Sequence, residues 1–210
     1  WTTEQAGELI DDLYSFMRST NKELGEMPPY FLGSIVLIKQ EALPPTTVVD
    51  GQQRLTTLTL LLATIRAKDS DEKARKGLSK LIYEQGDIIL NTANHYRLTL
   101  REKDKDFFRE YVQHEGGIEK LVNLNDRLLD SQNNLRENAR LLMNRLEKFT
   151  SDERLRLAQF TATRCYLVTV CTPDLDSAYR IFNVLNSRGL DLSATDILKA
   201  EIIGKVREKK

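Results

Sequence analysis

The stretch Thr46-Thr47-Val48-Val49-Asp50-Gly51-Gln52-Gln53-Arg54, followed at once by the apolar run Leu55 to Ile65, constrains the fold more than any other. Four β-branched residues read as a short buried strand, Asp50-Gly51 as a tight turn and Leu55 onward as a helix. A strand-turn-helix sets backbone N–H groups and the positive end of a helix dipole beside whatever the turn presents. Here it presents a carboxylate, two amides and a guanidinium in five consecutive positions. That density of hydrogen-bonding groups reads as a candidate site.

The surrounding pattern is mostly helical. Thr2 to Arg18 spaces Ala6, Leu9, Ile10, Leu13, Phe16 and Met17 as an amphipathic helix, with Thr2 and Gln5 as a capping box. Phe31–Ile38 predicts a strand that pairs antiparallel with Thr46–Val49 across the connection Lys39–Pro45. Leu55–Ala67 packs on them, with Leu55, Leu58, Leu62 and Ile65 on one face and Leu60 and Leu61 widening it. Lys68–Lys80 is charge-rich and reads as a solvated helix or loop. Tyr96, Leu98 and Leu100 alternate as a short half-exposed strand, and Asp104–His114 is helical up to Gly116-Gly117. Leu128, Leu135, Ala139, Leu142, Leu146 and Phe149 form one seam of a long helix. Asp152–Ala162 predicts a helix, Tyr166–Val170 a strand, and Thr172-Pro173-Asp174 the start of a helix burying Ala178, Ile181, Phe182 and Leu185. Gly189 is its cap, and Ser193 with Asp196 opens a last helix, Ala194–Val206. The fold class is α+β: a small N-terminal sheet embedded in a predominantly helical body.

Lys plus Arg and Asp plus Glu each number 31 among 210 residues, so no net charge draws the chain to phosphate or membrane. A nucleic-acid role would need a local patch. The run Tyr30–Ile38 is far too short to span a bilayer, and no signal peptide is visible. The chain begins at Trp1 rather than Met and ends in a helical pattern, which predicts a piece of a longer protein. Cys165 and Cys171 would lie roughly 20 Å apart on an extended run, so they predict reduced, buried thiols and a cytoplasmic location.

Two histidines, His95 and His114, and two cysteines at this spacing make no zinc site. The phosphate loop G-x-x-x-x-G-K-S/T and the G-x-S-x-G elbow are absent, and nothing calls for haem or flavin. Phosphate chemistry would therefore need another scaffold, which Asp50-Gly51-Gln52-Gln53-Arg54 offers. Arg54 has a planar fork suited to bidentate phosphate contact. Gln52 and Gln53 can hold a phosphate oxygen, a sugar hydroxyl or an attacking water. Asp50 can bind Mg²⁺ or orient water, Gly51 allows close backbone approach, and Thr56 and Thr57 add hydroxyls. The plainer alternative is a capping Asp, an Arg salt bridge and solvent-facing amides. A second cluster, Phe182-Asn183-Val184-Leu185-Asn186-Ser187-Arg188-Gly189, places Phe182 and Asn186 on one helix face. It reads equally as an ordinary Asn/Gly helix terminus.

Together the clusters resemble a family. V-V-D-G-Q-Q-R-L-T-T-L at 48–58, preceded by F-L-G-S-I-V-L at 31–37, is similar to the N-terminal domain of GmrSD-type modification-dependent restriction enzymes. I-F-N-V-L-N-S-R-G-L at 181–190, followed by L-S-A-T-D-I-L-K at 192–199, resembles that family's F-x-x-x-N motif. R-L-T-L-R-E-K-D at 97–104 is a weaker match to its middle region. The resemblance implies a ParB/sulfiredoxin-like α+β core over 1–67 and part of 81–114. A helical extension over 115–210 would carry the second motif, the whole forming one compact unit.

It also implies nucleotide binding and hydrolysis in defence against foreign DNA. The catalytic residues would be Asp50, Gln52, Gln53 and Arg54, with Asp50 as the Mg²⁺ ligand. Gly51, Thr56, Phe182, Asn186 and Arg188 would bind the nucleotide. Family members carry an upstream Y-Q-R-x-Y-x-W-like segment, of which Trp1 matches the last residue, and often an H-N-H-type nuclease domain downstream. The expected partners are a nucleoside triphosphate, DNA through the full-length protein and a nuclease or other effector domain. A DNA-recognition module without catalysis and a helical scaffold with a merely structural turn are the rival readings.

Overall fold

The structure is a computed structural model that describes residues 2–20, 22–39 and 46–187, with side chains described through residue 184. Its helices are α1 (Thr3–Ser19), α2 (Gln52–Lys68), α3 (Glu72–Ile82), α4 (Glu102–Phe108), α5 (Gly117–Asn123), α6 (Asp130–Glu147), α7 (Ser151–Thr163) and α8 (Leu175–Ser187). The strands are β1 (Tyr30–Ile38), β2 (Thr47–Asp50), β3 (Tyr83–Glu84), β4 (His95–Tyr96) and β5 (Cys165–Thr172). This is an α+β fold, as the sequence predicts. The chain forms two compact units, one of residues 1–28 and 53–164, the other of 29–52 and 165–210. The connection at residues 40–45, the Gly189 cap and the helix expected at Ala194–Val206 lie outside the described residues.

The first unit is helical. Gln5 accepts a 2.8 Å hydrogen bond from the Thr2 backbone N–H, closing the expected box at the start of α1. Ala6, Ile10, Leu13 and Met17 are buried along one stripe of that helix. On α6 the predicted seam holds for Leu135, Ala139, Leu142 and Leu146, all buried. Leu128 and Phe149 fall beyond the helix ends. The charge-rich stretch after Lys68 resolves into α3, capped by Asp71, whose carboxylate accepts from the backbone of Lys73 and Ala74.

Three expectations need correction. The deepest positions of α2 are Leu60, Leu61, Ala63, Thr64 and Ile65, whereas Leu55, Leu58 and Leu62 are only half-buried. This helix is enclosed on more than one side, so a single-stripe pattern understates its burial. The strand expected at Tyr96–Leu100 stops at Tyr96, where β4 pairs antiparallel with β3. Beyond it a side chain takes the place of a ladder: Gln113 Nε2 donates to the Leu98 carbonyl at 2.8 Å. The helix expected at Asp104–His114 is α4 continued by a π-helical turn, Arg109–Gln113, in which His114 N–H reaches the Arg109 carbonyl.

Arg66 explains how that turn ends. It is 3% exposed, and its Nη2 donates to the carbonyls of Val112, Gln113 and His114 at 3.3, 2.8 and 2.9 Å. Its Nη1 donates to Ser79 Oγ at 3.1 Å. The carbonyls that a helix end leaves without partners are thus satisfied by a cation reaching in from α2. Burial pulls the guanidinium pKa below its ordinary value.

A reciprocal box opens α7. Thr150 N–H donates to Glu153 Oε2 at 2.9 Å, Glu153 N–H to Thr150 Oγ1 at 3.2 Å, and Tyr14 on α1 donates to Glu153 Oε1 at 2.8 Å. The backbone bond from Thr150, then the Tyr14 hydroxyl, hold the Glu153 carboxyl below its ordinary pKa. A depressed folded-state pKa stabilises above the unfolded value of about 4.3 and is lost as pH falls through the folded value. Glu153→Gln is therefore expected to destabilise at neutral pH. Chemical denaturation of both proteins should show that difference shrinking as the pH falls below the unfolded value of about 4.3. A pH-independent difference would contradict the assignment.

The second unit is a three-stranded sheet of order β2-β1-β5, with α8 packed on all three strands. β1 and β2 are antiparallel as expected, pairing Val36 with Asp50, Leu37 with Val48 and Ile38 with Thr47. β5 joins the other side of β1 in parallel, and the register breaks between Phe31 and Ser34, where Gly33 has φ +105°. Thr172, 5% exposed, ends β5; its carbonyl accepts from Lys39 N–H at 2.9 Å. Helix α8 is capped by Asp174, which accepts from Ser177 N–H at 2.8 Å, so Pro173 precedes the helix rather than occupying its first turn. Ala178 is fully buried, while Ile181 and Phe182 are half-buried; the side chain of Leu185 is outside the described set.

Both cysteines are free, as expected, but only Cys165 is partly buried, and burial pushes its thiol up to about 12. Cys171 is exposed, because β5 is an edge strand and its outer positions meet solvent. Among the described residues no helix is long and apolar enough to cross a membrane.

Candidate functional site

The D-G-Q-Q-R motif sits at a strand-turn-helix. Asp50 is the last residue of β2 and is held opposite Val36 of β1. Gly51 then turns the chain with φ +89°, and α2 begins at Gln52. Two separate constraints demand glycine here. The left-handed φ is costly for a side chain, and a methyl group at Gly51 would collide with Ile35 Cγ2. The turn is therefore clamped against the sheet, and two residues after Asp50 ends β2 the 17-residue helix α2 begins.

That first turn contains no acidic residue. Gln52 Nε2 donates to the Val48 carbonyl at 2.7 Å, tying the start of α2 back to β2. Gln52 and Gln53 are exposed, whereas Asp50, Gly51, Arg54 and Thr56 are half-buried. The boundary between the two units falls inside the motif. Asp50, Gly51 and Gln52 belong to the sheet unit, Gln53 and Arg54 to the helical one.

Phe182 and Asn186 lie four residues apart on α8, in the sheet unit. Since α8 packs against β2 as well as β1 and β5, the second motif rides on a helix touching the strand that delivers Asp50. The side chain of Asn186 is outside the described set, and Arg188 lies outside the described residues altogether.

Among the described residues no group of three or more His, Cys, Asp and Glu side chains is gathered as a metal site. The helical unit also contains a cavity of about 350 Å³, lined by Ala63, Arg66, Arg75 and His114 among others and by none of the motif residues. Sequence reading missed the contact of Ile35 with Gly51. No local signal reveals it, because it depends on which β1 residue faces the turn.

The family model described as "GmrSD restriction endonuclease, N-terminal domain" matches residues 1–203. The chain belongs to the GmrSD N-terminal domain family. It is thus part of a DNA-targeting, restriction-type defence family, as its two motifs predict. No curated protein matches the chain.

Gly51→Ala tests the clamp. The substitution is expected to destabilise the protein by about 1–3 kcal/mol through backbone strain, with the Ile35 collision added to it. Repeating Gly51→Ala in an Ile35→Ala background, which removes Cγ2, relieves the collision but not the φ strain, so only part of the loss seen in the wild-type background should be recovered in a denaturant melt. Full recovery, or no loss in the single variant, would show that the turn tolerates a side chain.

Proposed function

We propose that this GmrSD N-terminal domain binds a nucleoside triphosphate at the D-G-Q-Q-R turn and, in the full-length cytoplasmic protein, hydrolyses it to control a DNA-targeting effector. The observation that carries this reading is the clamped Gly51, which brings a carboxylate-bearing residue, two amide-bearing residues and an arginine together on one tight turn at the start of α2. Arg54 neutralises phosphate charge. Gln52, already tied to Val48, and Gln53 position a phosphate oxygen or the attacking water. Asp50 holds Mg²⁺ or polarises that water, and Thr56 adds a hydroxyl on the first turns of α2. When bound, Mg²⁺ offsets charge on the β- and γ-phosphates.

Phe182, Asn186 and Arg188 complete the nucleotide site from the second motif. For Phe182 and Asn186, the packing of α8 on β2 within the sheet unit supports that assignment. The mixed sheet and its strand-turn-helix likewise support the ParB/sulfiredoxin-like core that the resemblance implies. Equilibrium titration of the full-length protein with ATP and GTP in Mg²⁺, followed by phosphate release, tests the proposal. Saturable binding and turnover are expected; no saturable binding of either nucleotide overturns it.

A further inference from the structure

We propose that the outer edge of β5 pairs antiparallel with the same edge of a second copy of this chain, about a two-fold axis at Val168. The inference is independent of the nucleotide reading. β5 flanks the three-stranded sheet, and among the described residues no strand lies on its outer side. Its backbone polar groups alternate in direction. The Thr172 carbonyl accepts from Lys39 N–H at 2.9 Å, so the groups of Thr172, and with them those of Val170, Val168 and Tyr166, turn toward β1. The N–H and C=O groups of Cys165, Leu167, Thr169 and Cys171 therefore point away from the sheet. Thr169 and Cys171 are exposed.

A row of open backbone donors and acceptors takes a β-strand; DNA and lipid offer no matching ladder. Native sheets blunt such an edge by short length, charge or proline. β2, the other edge, has four residues and ends on Asp50. β5 has eight, Cys-Tyr-Leu-Val-Thr-Val-Cys-Thr, with none of these devices.

The order of those residues chooses a second copy. In an antiparallel pair, outward residues must face outward residues. A two-fold axis on Val168 sets Cys165 opposite Cys171 and Leu167 opposite Thr169, each pair occurring twice, so every outward residue finds a partner. An axis on Thr169 would set Cys165 against Pro173, which has no N–H, and one on Leu167 would set Cys171 against Thr163, the end of α7. The Val168 register forms about eight backbone hydrogen bonds, two for each facing outward pair. It also sets Val168 against Val168 and Tyr166 against Val170, covering two side chains that are 37% and 53% exposed, Val168 and Tyr166. Aromatic and β-branched pairs of this kind stabilise a ladder. No residue of the strand is charged, so the axis opposes no like charges. An interface one strand wide falls at the small end of stable interfaces, near ~1,200 Å², which makes the dimer reversible.

The test uses the full-length protein. Sedimentation across a concentration series should show a monomer–dimer equilibrium. Val168→Lys and Val168→Glu each set like charges on the axis and should weaken the dimer roughly tenfold or more, whereas mixing the two variants restores it. Melting temperatures in dilute solution, where the wild type is monomeric, should be unchanged. In a Cys165→Ser, Cys171→Ser background, Val168→Cys should cross-link to itself under Cu(II)-phenanthroline. Residues facing each other on the axis have Cα atoms about 4.5 Å apart, within disulfide range. Tyr166→Cys alone should not cross-link, but Tyr166→Cys with Val170→Cys should. A wild type that stays monomeric throughout overturns the proposal, as does a dimer that both charge variants retain. Cross-linking by Tyr166→Cys alone fixes another register and overturns it too. A monomer whose Leu167 and Thr169 amides resist hydrogen exchange assigns the edge to a strand of its own chain, which equally overturns the second copy.

Discussion

Arg54→Ala in the full-length protein is expected to weaken nucleotide binding or turnover by about 2–4 kcal/mol, roughly thirtyfold to nearly a thousandfold, with the fold intact. Arg54 is half-buried in the first turn of α2, a position from which a guanidinium can reach a phosphate held at the helix N-terminus. Arg54→Lys should rescue only part of the loss, because an ammonium cannot reproduce the planar two-point contact. If Arg54 instead serves the fold, the alanine variant loses melting temperature and turnover together. Nucleotide titration and a melting curve on one preparation separate the two outcomes. Unchanged turnover in the alanine variant removes Arg54 from the chemistry.

The second large effect falls on stability. Arg66→Ala is expected to cost about 3–5 kcal/mol, measured as a lower denaturant midpoint. Removing the side chain leaves the carbonyls of Val112, Gln113 and His114 without their donor at the end of the π-helical turn, and Ser79 loses a partner. Arg66→Lys should recover a minor share, since one ammonium cannot serve both Ser79 and three converging carbonyls. A loss under about 1 kcal/mol would mean that water replaces the guanidinium, contrary to the 3% exposure of the site.

How much of this was legible without coordinates depends on the range of the interaction concerned. The β1–β2 pairing and the turn at Gly51 follow from β-branched runs, an Asp-Gly step and leucine spacing, because they involve residues close in the chain. The capping box at Thr2 is local in the same way. At α2 the periodicity located the helix but misjudged its buried face, since which side is deepest depends on what surrounds it. The strand at Tyr96 was overextended because alternation alone cannot say whether a partner strand continues.

For the candidate site, residue identities were fixed by the sequence: a carboxylate, two amides and a guanidinium bracketing one glycine, with Phe182 and Asn186 far downstream. Helical spacing put those two on one face, and the motif order gave the family. Only the tertiary structure decided that β5 lies parallel beside β1 and that α8 packs on the strand bearing Asp50. Only it supplied the Ile35 contact that makes Gly51 obligatory, the burial of Arg66 and the open outer edge of β5. Propensity and periodicity act within a few residues along the chain, whereas these features are contacts between distant segments, set by which surfaces are buried together and which are left in water.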